Sequence, residues 1–103
     1  MEAAAILRIV SERLGIPEDT LVREGLISYL QTRRRMLMAE RFEILSRYNV
    51  RSAEELRCCI ERGVLPEHPT WEDYIELTNI EDDLSLLEEQ LWELQPQEPH
   101  VFP

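Results

Sequence analysis

A run of aliphatic residues in the C-terminal third, spaced alternately by three and four positions, limits the fold more than any other feature of the chain. The residues are Leu77, Ile80, Leu84, Leu87, Leu91 and Leu94. This spacing places them on one stripe of an α-helix, as at the a and d positions of a coiled coil. An apolar stripe of this length needs a second helix to cover it. The sequence therefore predicts a pair of long helices.

The second helix of the pair is predicted between Pro17 and about Tyr48, the only other segment of comparable length without an internal proline. At 1.5 Å per residue it extends for roughly 48 Å. Its seam, read in heptads, consists of Leu26, Leu30, Arg33, Leu37, Glu40 and Ile44. Arg33 and Glu40 interrupt this apolar seam, so we expect their side chains to reach the helix edge or to meet an opposite charge.

Two shorter helices complete the predicted elements. The first runs from about Ala3 to Leu14 and ends at Gly15, because glycine readily closes a helix. The other opens at Ser52, where the letters SAEE form a capping box, and ends at Gly63. The sequence has no alternating strand pattern.

The last helix is predicted to be capped by Thr70, to begin one residue later and to end near Leu94. The expected fold is all-α: a long antiparallel helical hairpin with a short N-terminal helix and a short corner helix. Residues 1–95 are expected to form a single helical domain. Residues 96–103, which are rich in proline, are expected to form an extended, flexible C-terminal tail.

An apolar flank of the long second helix is left uncovered by this arrangement. Val22, Tyr29 and Met36 lie on that flank, and a second copy of the chain is expected to cover them. The sequence therefore predicts a helical homodimer.

Charge is distributed very unevenly along the chain, whose net charge is −10. Residues 1–65 carry 11 arginines and 10 acidic residues, whereas residues 66–103 carry 11 acidic residues and neither arginine nor lysine. An acidic segment can bind a cationic cleft that evolved for nucleic acid, since the field that attracts phosphate also attracts carboxylates. The sequence therefore predicts a basic protein partner for the last helix.

The residues expected to bind this partner share an acidic or aromatic side chain in the last helix and the tail: Asp82, Asp83, Glu88, Glu89, Trp92 and Phe102. Phe102 lies beyond the last predicted helix and is expected to act as a hydrophobic anchor that slows dissociation. The alternative is that the acids only keep the protein soluble and its subunits apart.

The sequence has no constellation typical of an enzyme, a cofactor site or a metal site. It contains no Ser, His and Asp set, no glycine-rich phosphate loop and no His or Cys cluster with metal-ligand spacing. The adjacent Cys58 and Cys59 are expected to be reduced residues on a helix. No segment approaches the ~20 apolar residues that cross a bilayer, and no basic leader precedes an apolar run. The chain is therefore expected to be cytoplasmic.

The segment IVSERLGIPEDTLVREGLISYL has the outline of a helix-turn-helix, which leaves open the alternative of a DNA-binding regulator. Arg23 and the cluster Arg33, Arg34 and Arg35 are the residues that would contact nucleic acid. The second helix begins with acidic residues where a recognition helix offers bases or amides, and the net charge repels phosphate. Nucleic acid is therefore a disfavoured partner, and the arginine cluster is expected to pair with glutamates of the last helix.

Three segments resemble a group of small, all-helical prokaryotic antitoxins of toxin–antitoxin pairs. They are SERLGIPEDTLVREGLISYLQTRRR, RYNVRSAEELRCCIERG and PTWEDYIELTNIEDDLSLLEEQL, and the resemblance spans about residues 12–94. The residues that carry it most clearly are Tyr48, Val50, Ser52, Glu54, Glu55 and Leu56 around the third helix, and Trp71, Glu72, Asp73 and Tyr74 at the start of the fourth. The resemblance implies a protein that binds and silences a basic ribonuclease or nucleotidyltransferase. The chain lacks the β-ribbon DNA-binding arm of the commoner antitoxins, so the resemblance does not extend to autorepression.

Partner binding is thus the preferred hypothesis. A self-associating structural protein without a client and a helix-turn-helix regulator are the two alternatives.

Overall fold

A computed structural model describes residues 1–95 and contains four α-helices. They are α1 (Ala3–Leu14), α2 (Glu18–Tyr48), α3 (Ala53–Glu61) and α4 (Thr70–Leu94). No β-strand occurs in the described part of the chain. The all-α prediction and the predicted order of long and short helices are therefore confirmed. The predicted tail at residues 96–103, with Phe102, lies outside the described residues.

The two long helices form an antiparallel hairpin that three ion pairs connect. The Arg34 Nε lies 3.2 Å from the Glu88 Oε1, and the Arg41 Nε lies 3.9 Å from the Glu81 Oε1. The third pair joins Arg47 to Asp73 at the corner end, with 2.9 Å between Nη1 and Oδ2. Residue numbers rise along α2 while they fall along α4, so the helices run in opposite directions.

The hydrophobic core is concentrated at the corner end of the hairpin, where α3 packs against both long helices. Its buried members are Leu37, Ile44 and Leu45 from α2, Ala53, Leu56 and Ile60 from α3, and Leu77, Ile80, Leu84 and Leu87 from α4. Leu56 and Leu77 are completely buried. Burying one such leucine contributes about 1.5–3 kcal/mol of transfer free energy. The predicted stripe of α4 is thus confirmed through Leu87, and Leu91 packs partly buried against the same core.

The predicted seam of α2 is wrong at its two charged positions, Arg33 and Glu40. Leu30, Leu37 and Ile44 do pack against α4, but the charged residues that pair across the gap are Arg34 and Arg41. Neither Arg33 nor Glu40 forms an ion pair within residues 1–95; Arg33 is half-buried and Glu40 is exposed. Leu26, also assigned to the seam, is 46% exposed. The apolar positions of the seam are thus as predicted, whereas the charged positions that face acids of α4 lie one residue later than predicted.

The ends of α1 and α3 follow their predicted chemistry. Gly15 closes α1 in the left-handed region at φ 66°, where a glycine is free of Cβ strain. The Ser52 Oγ accepts a hydrogen bond of 3.1 Å from the Glu55 N–H, and the Glu55 carboxylate accepts one of 2.8 Å from the Arg51 N–H. Ser52 therefore satisfies one orphan donor of α3 as predicted, whereas Glu55 binds the N–H of the residue before the cap and not that of Ser52.

Thr70 does not cap α4 as predicted. It is the first helical residue and Pro69 precedes it at the cap position. The Thr70 side chain is buried at 1% exposure, and its hydroxyl has no hydrogen-bond partner among residues 1–95.

The molecule is flat and elongated. Its principal extents are 61 × 49 × 16 Å and its radius of gyration is 20.2 Å, compared with about 13 Å for a compact domain of this length. Counting from the Arg34–Glu88 pair, Leu94 lies opposite about Ser28 of α2. The first ten residues of α2 therefore extend beyond the end of α4, and α1, which has no buried residue, continues from them.

Candidate protein-binding surface

The helix α4 carries nine acidic residues and no arginine, lysine or histidine. Its first turn holds Glu72 and Asp73, where the positive end of the helix dipole favours carboxylates. Among the acids of α4, one group meets arginines of α2, and a second group is exposed without an ion pair in residues 1–95. This division decides which of them are free to bind a partner.

The first group is already used inside the hairpin. Asp73, Glu81 and Glu88 each pair with an arginine of α2. Glu88, one of the residues predicted to bind the partner, lies beside Arg34, and 55% of its side chain is exposed.

The second group lies on the side of α4 that faces away from the core. Asp82 and Glu89 are seven residues apart on this side, and Glu93 lies four residues further on. All three are exposed, and within residues 1–95 they form no ion pair. Their negative charge is therefore directed at solvent.

Apolar side chains lie among these acids. Leu86 is 55% exposed, and Ile75 and Trp71, at 44% and 42% exposure, continue the row at helical spacing. The outer face of α4 is therefore defined by Trp71, Ile75, Asp82, Leu86, Glu89 and Glu93. A surface that combines free carboxylates with exposed aliphatic groups can provide both attraction at a distance and contact on docking.

The sequence prediction missed Leu86, Ile75 and Trp71 as candidate binding residues. The exposure of Leu86 could have been predicted from the leucine doublet at 86 and 87. Adjacent residues lie about 100° apart on a helix, and only Leu87 fits the buried stripe. Leu87 is 5% exposed, in contrast to its neighbour.

The structure does not bring all the predicted partner-binding residues together. Asp83 and Trp92 are nine residues apart, which places them on opposite sides of α4 at 3.6 residues per turn. Trp92 is 62% exposed and lines an open groove with Leu26 and Leu30 of α2. Asp82 and Glu89 are the two predicted acids that share the outer face.

The predicted nucleic-acid contacts are also divided among different neighbours. Arg23 pairs with Asp19 at 3.3 Å, and Arg34 pairs with Glu88. The Arg35 guanidinium donates a hydrogen bond of 3.1 Å to the Thr32 hydroxyl. The expected pairing of the arginine cluster with glutamates of α4 is thus confirmed for Arg34.

The corner of the hairpin is held by polar contacts around Asp73. Its carboxylate accepts hydrogen bonds from the Tyr48 hydroxyl and from the Arg47 guanidinium. Burial and the bond to Asp73 raise the pKa of Tyr48 above its ordinary value. Nearby, the backbone N–H at the start of α4 and the His68 imidazole lower the pKa of Glu72. The contacts of Asp73 thus connect α2 to α4.

No group of three potential metal ligands lies together in the part of the chain that the structure describes. Cys58 and Cys59 are half-buried and form no disulfide. Among the described helices, none combines the length and the apolar character required to cross a membrane.

Comparison with known proteins identifies one family. Neither the search of curated proteins nor the search of solved structures gave a match. The model of the Uncharacterized protein MJ0235 family matches residues 1–98, which is nearly the whole chain and includes every helix described above. The chain therefore belongs to the Uncharacterized protein MJ0235 family.

Proposed function

We propose that the protein is a non-catalytic, antitoxin-like binding module that acts in the cytoplasm and silences a basic partner enzyme. The observation that carries this proposal is the outer face of α4, on which Asp82, Glu89 and Glu93 surround the exposed Leu86 without a compensating base among the described residues. Solubility alone requires dispersed charge and does not require large aliphatic groups among the acids.

The composition of the outer face specifies the chemistry of the partner. Carboxylates at spacings of seven and four residues favour arginines or lysines along a groove or a second helix, with an apolar strip between them for Leu86 and Ile75. A ribonuclease or nucleotidyltransferase carries such a cationic groove for phosphates. By occupying that groove, α4 would exclude the nucleic acid substrate.

The resemblance to antitoxins supports the same proposal independently of the charge. It covers the start of α4, where Trp71 and Tyr74 stack with 5.2 Å between ring centroids. Trp71 is exposed on the outer face, whereas Tyr74 is partly buried against the core.

The test is capture of partners from native lysate by three forms of the protein. The first is the parent and the second carries Asp82→Asn, Glu89→Gln and Glu93→Gln. The third is a matched control in which Glu12, Glu24 and Glu40 are changed to Gln; these acids are exposed, are distant from the outer face and give the same change in net charge.

We expect the parent and the control to retain the same stoichiometric basic protein and the outer-face variant to lose it. The captured protein should then be inhibited by the parent in an assay of ribonuclease or nucleotidyl transfer. Equal capture by all three forms, or capture without inhibition, would exclude the proposed role of this face.

A further inference from the structure

The helix α1 and residues 18–30 of α2 together form an arm, which is the least covered part of the described chain. The helix α1 has no buried residue, and a helix of 12 residues is only marginally stable in water without a packing partner. The arm therefore has an apolar surface whose cover is not supplied by α3 or α4.

The exposed apolar residues of the arm lie along both of its helices. They are Ile6, Ile9, Leu14, Val22, Leu26 and Tyr29, and their exposed fractions range from 44% to 67%. Trp92 adds to this surface where the end of α4 meets Leu26. Several large apolar side chains are thus exposed in one region of the molecule, which is typical of an interaction surface.

The residues of α2 around Leu26 form a pattern that complements itself. Asp19 lies seven residues before Leu26 and Arg33 lies seven residues after it, while Val22 and Leu30 lie four residues before and after. When two copies of this segment run antiparallel and cross at Leu26, Asp19 of each copy meets Arg33 of the other. Leu30 keeps its packing against α4 in this arrangement.

We propose that a second copy of this chain covers the arm, with a twofold axis that passes close to Leu26. Arg33, half-buried and without an ion pair in residues 1–95, then gains the opposite charge that its place beside the apolar stripe requires. Asp19 is available for that contact because 84% of its side chain is exposed and its link to Arg23 is a surface pair.

The charge distribution also selects the arm over α4 as the contact between copies. Two α4 helices would repel each other, because neither offers a base. Residues 1–35 carry six arginines and five acids, so two arms meet without this penalty. At 1.5 Å per residue the part of α2 that belongs to the arm, residues 18–30, is about 20 Å long.

This assembly leaves the outer face of α4 free, so its test is independent of partner binding. The experiment is sedimentation equilibrium of the full chain and of charge-reversed variants. The parent should be a dimer at micromolar concentration. Asp19→Arg and Arg33→Asp should each weaken the dimer roughly tenfold or more, since each places like charges together twice.

Mixing the two variants provides the decisive measurement. In the mixed dimer both contacts regain opposite charges, so an equimolar mixture should restore a one-to-one complex of parental stability. Arg35→Asp is the matched control, because it has the same charge change on the opposite side of α2 from Leu26; it should leave the dimer unchanged. Circular dichroism reports whether each variant keeps its helices.

Leu26→Asn gives a second route, since it places a polar group at the twofold axis and should also weaken the dimer. A monomeric parent would overturn the proposal, whether or not residues beyond Gln95 cover the arm. A dimer that tolerates both Leu26→Asn and Arg33→Asp, or a mixture that fails to recover, would overturn it equally.

Discussion

Arg34 and Glu88 face each other across the hairpin, with 3.2 Å between the guanidinium Nε and the carboxylate Oε1. Seven residues further along α2 and seven residues earlier in α4, Arg41 and Glu81 repeat the arrangement. The two pairs fix the register in which α4 runs beside α2. They also separate the acids that belong to the fold from those that remain free.

Glu88→Gln should change stability little although it breaks the pair with Arg34. Both side chains are about half exposed, and ion pairs of this kind contribute roughly 0–1 kcal/mol. Urea unfolding followed by circular dichroism measures the change. A loss of several kcal/mol would show that this pair has a structural role that its exposure does not indicate.

The leucine doublet of α4 should give opposite results at its two positions. Leu87→Ala removes a buried core residue and should lower the free energy of unfolding by about 2–5 kcal/mol. Leu86→Ala should lower it by about 0.5 kcal/mol or less, while weakening capture of the basic partner. Urea unfolding of both variants gives the comparison, and equal losses of stability would contradict the assignment of the outer face.

Tyr48 should make stability depend on alkaline pH. Because burial and the bond to Asp73 raise its pKa in the folded state, its contribution is complete below the unfolded value near 10 and declines as the pH rises through the folded value. Tyr48→Phe lacks this ionisation. The stability difference between parent and variant should therefore fall above pH ~10, as measured by urea unfolding at a series of pH values; a constant difference would refute the coupling.

Sequence-selective DNA binding should be absent. Arg23 and Arg34 are compensated by acids of the same chain, and α2 begins with Glu18 and Asp19, which repel phosphate. A gel shift at low salt with the DNA upstream of the protein's own coding sequence checks this. Selective binding that weakens in Arg23→Ala would instead favour the helix-turn-helix alternative.

The local elements of this fold were predictable from sequence because local chemistry determines them. Gly15 ends α1 and the capping box of Ser52 and Glu55 begins α3 at the predicted places. The stripe of α4 was also predictable, since an apolar heptad pattern has only one buried side.

The facing side of α2 was not predictable in the same way. The heptad pattern allows two choices for the charged positions of the seam. One choice is Arg33 and Glu40, and the other is Arg34 and Arg41. Only the positions of Glu88 and Glu81 on the other helix decide between these choices. The free and paired acids of α4 could not be separated for the same reason, because the arginines that pair with them are 26 to 54 residues away in sequence.

The proposed role of the outer face of α4 is to recognise a basic partner through its free carboxylates. The most direct measurement is the association rate with the captured basic protein, by stopped-flow or surface binding, at low salt and at about 0.5 M salt. The parent and the variant of Glu12, Glu24 and Glu40 should associate at equal rates at low salt. Neutralising Asp82, Glu89 and Glu93 should slow association roughly tenfold at low salt, and high salt should remove the difference.

The contradicting result is association of the outer-face variant as fast as the parent at low salt. It would mean that the acids of α4 only keep the protein soluble and that the partner, if one is bound, docks elsewhere.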